Sequence, residues 1–253
     1  MGDSITQDSV AVSVIMNVYN AQEFLAEALQ SVLDQTHQNF ELIVEDADST
    51  DESADILADF ARRDKRIAFW RTEKRNVAAA LNSCLEKARN DLVFQLDADD
   101  LMLPNRLERQ IWFMQQHPDV SAACSYAWLI DRNGRLLAEA KPTIDVDRGI
   151  RERKPAYFVH IIDPACVMRR KHVRALGGFS SDVRFEHREL WGRLVASGCR
   201  LAVQPEFLIK RRLHRGSATG SEIRRNTLER EFIDQNIVRS LQGDGPGLSH
   251  LFT

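Results

Sequence analysis

Asp97, Asp99 and Asp100 place three carboxylates within the four-residue stretch Asp97-Ala98-Asp99-Asp100. The stretch follows Leu92-Val93-Phe94-Gln95-Leu96, a mostly apolar run that reads as a buried strand. The acids therefore lie where a strand leaves the core. Burying an unpaired carboxylate costs on the order of several kcal/mol, so a cation or a solvated cleft is expected beside them. Hard cations such as Mg²⁺ and Mn²⁺ take oxygen ligands and usually share them with phosphates. Taken alone, an acidic turn more often caps the following helix, which here begins near Pro104. The surrounding elements separate these two uses.

Two further polar loops stand at comparable places. Residues 10–18 alternate and are β-rich, so they read as a first strand with Asn17-Val18-Tyr19-Asn20 at its exit. Residues 24–34 carry Phe24, Ala28 and Val32 at helical spacing. Residues 40–44 read as a second strand that runs into the polar turn Asp46-Ala47-Asp48-Ser49-Thr50-Asp51. A helix over 52–63, a strand over 67–70, a helix over 77–88 and a strand over 92–96 follow. Strands alternating with helices imply a largely parallel sheet, and ligands bind such sheets beyond the carboxyl ends of the strands. All three polar loops fall at those ends. Neither GxGxxG nor a P-loop occurs, so a dinucleotide fold or an ATPase is not supported.

The second half is organised differently. Leu107, Ile111 and Met114 form one helical stripe, 120–130 reads as a strand, and Asn133-Gly134 as a hairpin turn. Residues 145–155 are charged and lack an apolar period, which suits a loop near a cleft or a plain surface loop. Asp163-Pro164, before the strand at Cys166, reads as a turn more readily than as part of an acceptor pocket. A short basic helix over 169–176, Gly177-Gly178-Phe179 and a helix over 187–197 come next. Short strands are expected at 201–203 and 207–209, and an amphipathic helix over 221–241. The 253 residues suffice for one large α/β domain. A net charge of −3 gives no electrostatic case for nucleic acid. Cys84, Cys124, Cys166 and Cys199 are far apart with no CxxC pair, so they read as reduced core residues. No apolar run reaches the ~20 residues of a membrane span, and residues 1–9 lack the apolar core of a signal peptide. The cytoplasm is the expected location.

Taken in order, these pieces resemble the inverting glycosyltransferases of family 2, which have the GT-A fold. The opening Val12-Ser13-Val14-Ile15-Met16-Asn17-Val18-Tyr19-Asn20 is similar to the family's start. The segments Ser31-Val32-Leu33-Asp34-Gln35-Thr36 and Phe40-Glu41-Leu42-Ile43-Val44 match its continuation. Asp46 to Asp51 stands in the place of the family's Asp-Asp-Gly-Ser-Thr-Asp turn. Ala80-Leu81-Asn82, then Asp97-Ala98-Asp99-Asp100, match the segment ending in the metal motif. Gly177-Gly178-Phe179, Glu189-Leu190-Trp191-x-Arg193-Leu194 and Arg212-x-His214 match the acceptor half. The resemblance spans residues 10–219. It implies an α/β GT-A fold with a mixed, mainly parallel sheet flanked by helices. Residues 10–103 would form the nucleotide-sugar half and 104–219 the acceptor half, with 220–253 a C-terminal helix and tail.

The resemblance also implies a site. A nucleotide-sugar donor would lie against Asn17, Tyr19, Asn20, Asp46, Asp48, Arg75, Asn82, Asp97, Asp99 and Arg212. Asp99 and Asp100, with His214 near, would hold Mn²⁺ or Mg²⁺ on the diphosphate. Three positions depart from the pattern. Ala47 stands where the family's second Asp contacts the base, and alanine accepts no hydrogen bond. Either Asp46 or Asp48 substitutes, or the nucleotide is not uridine-based. Asn76 stands where glycine is common. In Phe185-Glu186-His187-Arg188-Glu189-Leu190-Trp191, His187 occupies the place of the catalytic Asp. His187 or Glu186 is then the expected base, since neutral imidazole and carboxylate both accept protons. The acceptor would be a glycan, lipid-linked or protein-linked. Two other readings stay open. One is a binding module that kept the fold without turnover. The other is an interaction protein whose tail helix contacts a second copy or the inner membrane face.

Overall fold

A computed structural model describes residues 10–144, 159–183 and 186–214. The first half follows the expected alternation: β1 (Val12–Val18), α1 (Leu25–Leu33), β2 (Phe40–Asp46), α2 (Ser53–Arg63), β3 (Ile67–Arg71), α3 (Val77–Lys87) and β4 (Leu92–Gln95). The four strands pair in parallel in the order β3-β2-β1-β4. Each of β1, β2 and β4 is buried nearly along its length. This is the pattern of a parallel strand covered on both faces. One face packs Val14, Leu42 and Phe94 against Leu25, Leu29, Leu57, Leu107 and Ile111. The other packs Ile15, Ile43 and Val93 against Leu81, Leu85, Leu190 and Trp191.

The second half extends the same sheet. It contains β5 (Leu101–Met102), α4 (Arg106–Gln116), β6 (Val120–Ile130), β7 (Leu136–Ala140), β8 (Thr143–Ile144) and β9 (Val159–His160). A 3₁₀ turn (Asp163–Ala165), β10 (Cys166–Arg169), α5 (Arg170–Ala175), α6 (Glu186–Ala196) and β11 (Arg200–Arg212) complete it. The order continues β4-β10-β6-β11-β5, with β7 on β6. β10 is antiparallel to both neighbours, so β6 and β11 run in the same direction as β4. The ends of β1, β2, β4, β6 and β11 therefore face one side.

Two expectations are corrected. The strands expected at 201–203 and 207–209 are one strand, β11, whose pairing with β6 shifts register around Gln204–Phe207. Those irregularities interrupt the apolar alternation that marks a single strand. β5 has two residues, too few for a period to show. Helix α6 begins at Glu186, one residue before the expected start. The 145–155 loop and the 221–241 helix lie outside the described residues. No described helix is long and apolar enough to cross a membrane.

Candidate active site

The loop after β4 brings Asp97, Asp99 and Asp100 together, with ligand oxygens within 4.8 Å of one another. Asp100 is 2% exposed. Its Oδ1 accepts the Arg212 backbone N–H at 2.7 Å, and the Asp99 carbonyl accepts Arg212 Nε at 3.0 Å. The same guanidinium donates to Arg132 O at 2.8 Å and Glu27 Oε2 at 2.6 Å, and lies 4.5 Å from the Phe24 ring. Arg212 thus spends its donors on the acidic loop, the β6–β7 turn and α1. His214 Nε2 sits 2.8 Å from Asp99 Oδ2, its ring against Phe24. Beneath the loop, fully buried Arg106 donates to the carbonyls of Gln95 and Cys166.

Burial, and then the Asp99 charge, push Asp97 up to about 6. Burial and the charges of Asp97 and Asp99 push Asp100 well above the usual carboxylate range. Three clustered carboxylates thus carry more negative charge than their surroundings offset. An all-oxygen donor set of that charge fits a hard divalent cation.

A cavity of about 570 Å³ opens at the strand ends. Asn17, Tyr19 and Ala47 line one part, Lys74, Arg75 and Asn76 a second, and Ser181, Asp182 and Glu186 a third. Lys74 donates to Tyr19 Oη at 2.8 Å and lies 4.5 Å from that ring, closing one edge. Arg75 is held by buried Glu45 through Nε and Nη2. Asn76 caps α3, accepting Ala79 N–H at 2.9 Å, and its amide donates to Ser181 O at 3.0 Å. That cap fixes the loop to the opposite wall.

At the start of α6, His187 is 7% exposed. Its Nε2 lies 2.7 Å from Gln95 Oε1, and its Nδ1 lies 3.2 Å from Glu186 Oε1. Asp163 Oδ2 is 4.0 Å from Nδ1, and Asp163 Oδ1 accepts Trp191 Nε1–H at 3.0 Å. Burial opposes charge on His187, but Asp163 and Glu186 outweigh it and raise the imidazole to about 9.

The expected site residues divide into two groups. Asn17, Tyr19, Arg75 and Glu186 meet in the cavity, and Asp97, Asp99, Asp100, Arg212 and His214 meet at the acidic loop. Asp46 is a correction to the expected base contact. It is fully buried, with Oδ1 on Ser49 N–H and Oδ2 on Arg71 Nε. Asn82 is a second, since both ends of its amide bond the Phe179 backbone at 2.8 Å. That clamp explains Gly178, where an added Cβ would lie 2.3 Å from Asn82 Oδ1. Asn20 holds the turn instead of facing the cavity, accepting Thr50 N–H at 2.8 Å. Asp48 is exposed with φ 70, at the place of the family's turn glycine. Gln95 and Lys74 are not singled out by the sequence, and Asp163 is weighed there only as a turn or an acceptor-pocket residue. A glutamine ending an apolar strand was the available signal for the first. The partners of Lys74 and Asp163 are 55 and 28 residues away, beyond any local pattern.

A family model described as glycosyl transferase family 2 matches residues 13–177. An uncharacterized glycosyltransferase of Methanocaldococcus jannaschii is 32% identical over 212 residues, covering 81% of this chain and 72% of its own length. EpsE of Bacillus subtilis, a protein named as a glycosyltransferase, is 34% identical over 194 residues, 75% of this chain and 68% of its own. Among solved structures, S. aureus TarS in complex with UDP-GlcNAc superposes with TM-score 0.72 at 18% identity, over 95% of this chain and 69% of that one. Mannosyltransferase PcManGT of Pyrobaculum calidifontis, in complex with GDP-Man and Mn²⁺, gives TM-score 0.68 at 20% identity, over 90% and 68%. These superpositions identify the fold as GT-A. With the family model matched across 13–177 and the acidic loop inside that span, the chain belongs to glycosyl transferase family 2.

Proposed function

We propose that the chain is a cation-dependent inverting glycosyltransferase. It would move a sugar from a nucleoside-diphosphate sugar to a hydroxyl of a glycan, lipid-linked or protein-linked acceptor. The observation that carries this reading is the cavity at the strand ends, joined to the acidic loop through His187 and Gln95. Its volume lies within the range of small-molecule sites. Solved neighbours of the same fold hold UDP-GlcNAc or GDP-Man.

Asp99 and Asp100 would hold Mn²⁺ or Mg²⁺, with Asp97 and His214 beside them. When bound, the cation would stabilise the charge that grows on the departing diphosphate. Asn17, Tyr19 and Lys74 would orient the nucleoside part, and Arg75 the diphosphate. Glu186 takes the proton from the attacking hydroxyl, which approaches the anomeric carbon opposite the leaving group. The glycosyl bond breaks as the new one forms, so the configuration inverts. His187 is the less suitable base. Both its ring nitrogens face acceptors, and an imidazolium has no lone pair for a proton. Glu186 lines the cavity and His187 does not.

A thermal-shift panel of UDP-, GDP-, dTDP- and CMP-sugars, with and without Mn²⁺, tests the reading. One donor should stabilise the protein only with cation, and Asp100→Ala should abolish that shift. No shift with any donor, together with no response to Asp100→Ala, rules the reading out.

A further inference from the structure

Beside the acidic loop, a chain of polar contacts is centred on His187. Asp97 Oδ1 lies 3.4 Å from Gln95 Nε2, and Gln95 Oε1 lies 2.7 Å from His187 Nε2. His187 Nδ1 then faces Glu186 Oε1 at 3.2 Å and Asp163 Oδ2 at 4.0 Å. Trp191 Nε1 fixes the far oxygen of Asp163. Phe179 packs on the imidazole edge-on, with centroids 5.0 Å apart. The chain of contacts joins the end of β4, the start of α6 and the 3₁₀ turn.

The orientation of Gln95 decides the chemistry. Its amide nitrogen is the end that faces the Asp97 carboxylate, an acceptor in its ionised form, so its carbonyl faces His187. His187 Nε2 must therefore carry a proton. Among the described residues Nδ1 meets only carboxylates, so it too carries one. Both hydrogen bonds are satisfied at once by the imidazolium. A neutral ring would leave one nitrogen lone pair facing an acceptor in a buried site, which is costly.

We propose that His187 is a resident imidazolium that positions Glu186, and that Gln95 and Asp163 are the positioning residues that hold it in that form. The inference rests on the proposed role of Glu186 as base. His187 thus stands where the family carries an acid, yet supplies a fixed positive charge in place of a proton acceptor. It orients one oxygen of Glu186 and leaves the other for the acceptor hydroxyl. It also places a cation between two carboxylates that would otherwise repel. The groups facing it are Asp163 from the 3₁₀ turn, Glu186 from α6 and Asp97 from the loop after β4.

The test uses the full chain labelled with ¹⁵N-histidine. Ring-nitrogen shifts near neutral pH should show one histidine protonated at both nitrogens, and His187→Gln should remove that signal. A neutral His187 overturns the proposal. In parallel, donor hydrolysis and transfer are followed for Gln95→Met, Asp163→Asn and His187→Gln. Each should lower kcat by about tenfold or more while donor KM changes by less than about twofold, because positioning acts on the transition state. His187→Lys, which restores a cation, should recover part of kcat, whereas His187→Asp should not. If His187→Asp instead raises kcat, His187 occupies the base position and the proposal fails. Unchanged kcat in all three variants also overturns it. Absence of turnover with every donor counts against the glycosyltransferase reading alone; the ¹⁵N signature is read independently of it.

Discussion

The loop after β4 and the start of α6 both gather carboxylates at the same side of the sheet, but they balance charge differently. At the loop, Asp97, Asp99 and Asp100 crowd within 4.8 Å; burial and Asp99 push Asp97 upward, and burial, Asp97 and Asp99 push Asp100 upward. At α6, Glu186 and Asp163 share His187, which they raise to about 9. On the proposed reading, the first would take an external cation to relieve its charge. The other carries its own.

The largest effect that could break this contrast is expected at the loop. Removing the charges of Asp99 and Asp100 together, as Asn, should abolish cation-dependent donor binding in calorimetry and with it turnover. Retained Mn²⁺-dependent binding would show that the loop is not the cation site. At the other region, Glu186→Gln should lower kcat by roughly 10²–10⁴-fold, the usual contribution of a general base. Donor binding measured with Mn²⁺ should stay unchanged, so equal losses in both would erase the distinction between the regions.

Stability against pH sharpens the contrast. His187 has a folded pKa raised above its ordinary 6.5. Its contribution to stability is full below about 6.5 and is lost as pH rises through about 9. Asp97 is raised from 3.8 to about 6, so without cation its contribution is lost as pH rises through about 6. Urea unfolding across both windows should show two declines. Mn²⁺ should reverse the lower one, and His187→Gln should remove the upper one while moving the lower one to higher pH, because the His187 charge holds Asp97 down. The smallest expected change concerns the cavity wall at Ala47. Ala47→Asp adds a carboxylate acceptor there, and should tighten uridine diphosphate binding by about tenfold if the base faces Ala47. No change in the order of nucleotide affinities would place the base elsewhere.

Much of the first half was legible because apolar periods and punctuation coincide there. Residues 40–44 and 92–96 read as strands from their apolar runs, and the structure buries β2 and β4 along their length. The acidic triplet needed only adjacency in sequence to be noticed. Asp46 and Asn82 show the limit. Both stand at family-like positions, yet Arg71 and Phe179, 25 and 97 residues away, take up their polar atoms. β11 was divided in two because its register shifts hide its continuity.

What the sequence determined by itself is the order of elements and the placement of polar loops at strand ends. These follow from local rules, the period of burial and the residues that end helices and strands. Only the tertiary structure decided which polar atoms are already spent and which face the cavity. It turned His187 from a candidate base into a buried group held by Gln95, Glu186 and Asp163. The reason is physical: a proton's location depends on which acceptors surround a group, and β4, the 3₁₀ turn and α6 bring those acceptors together only when the sheet closes over them.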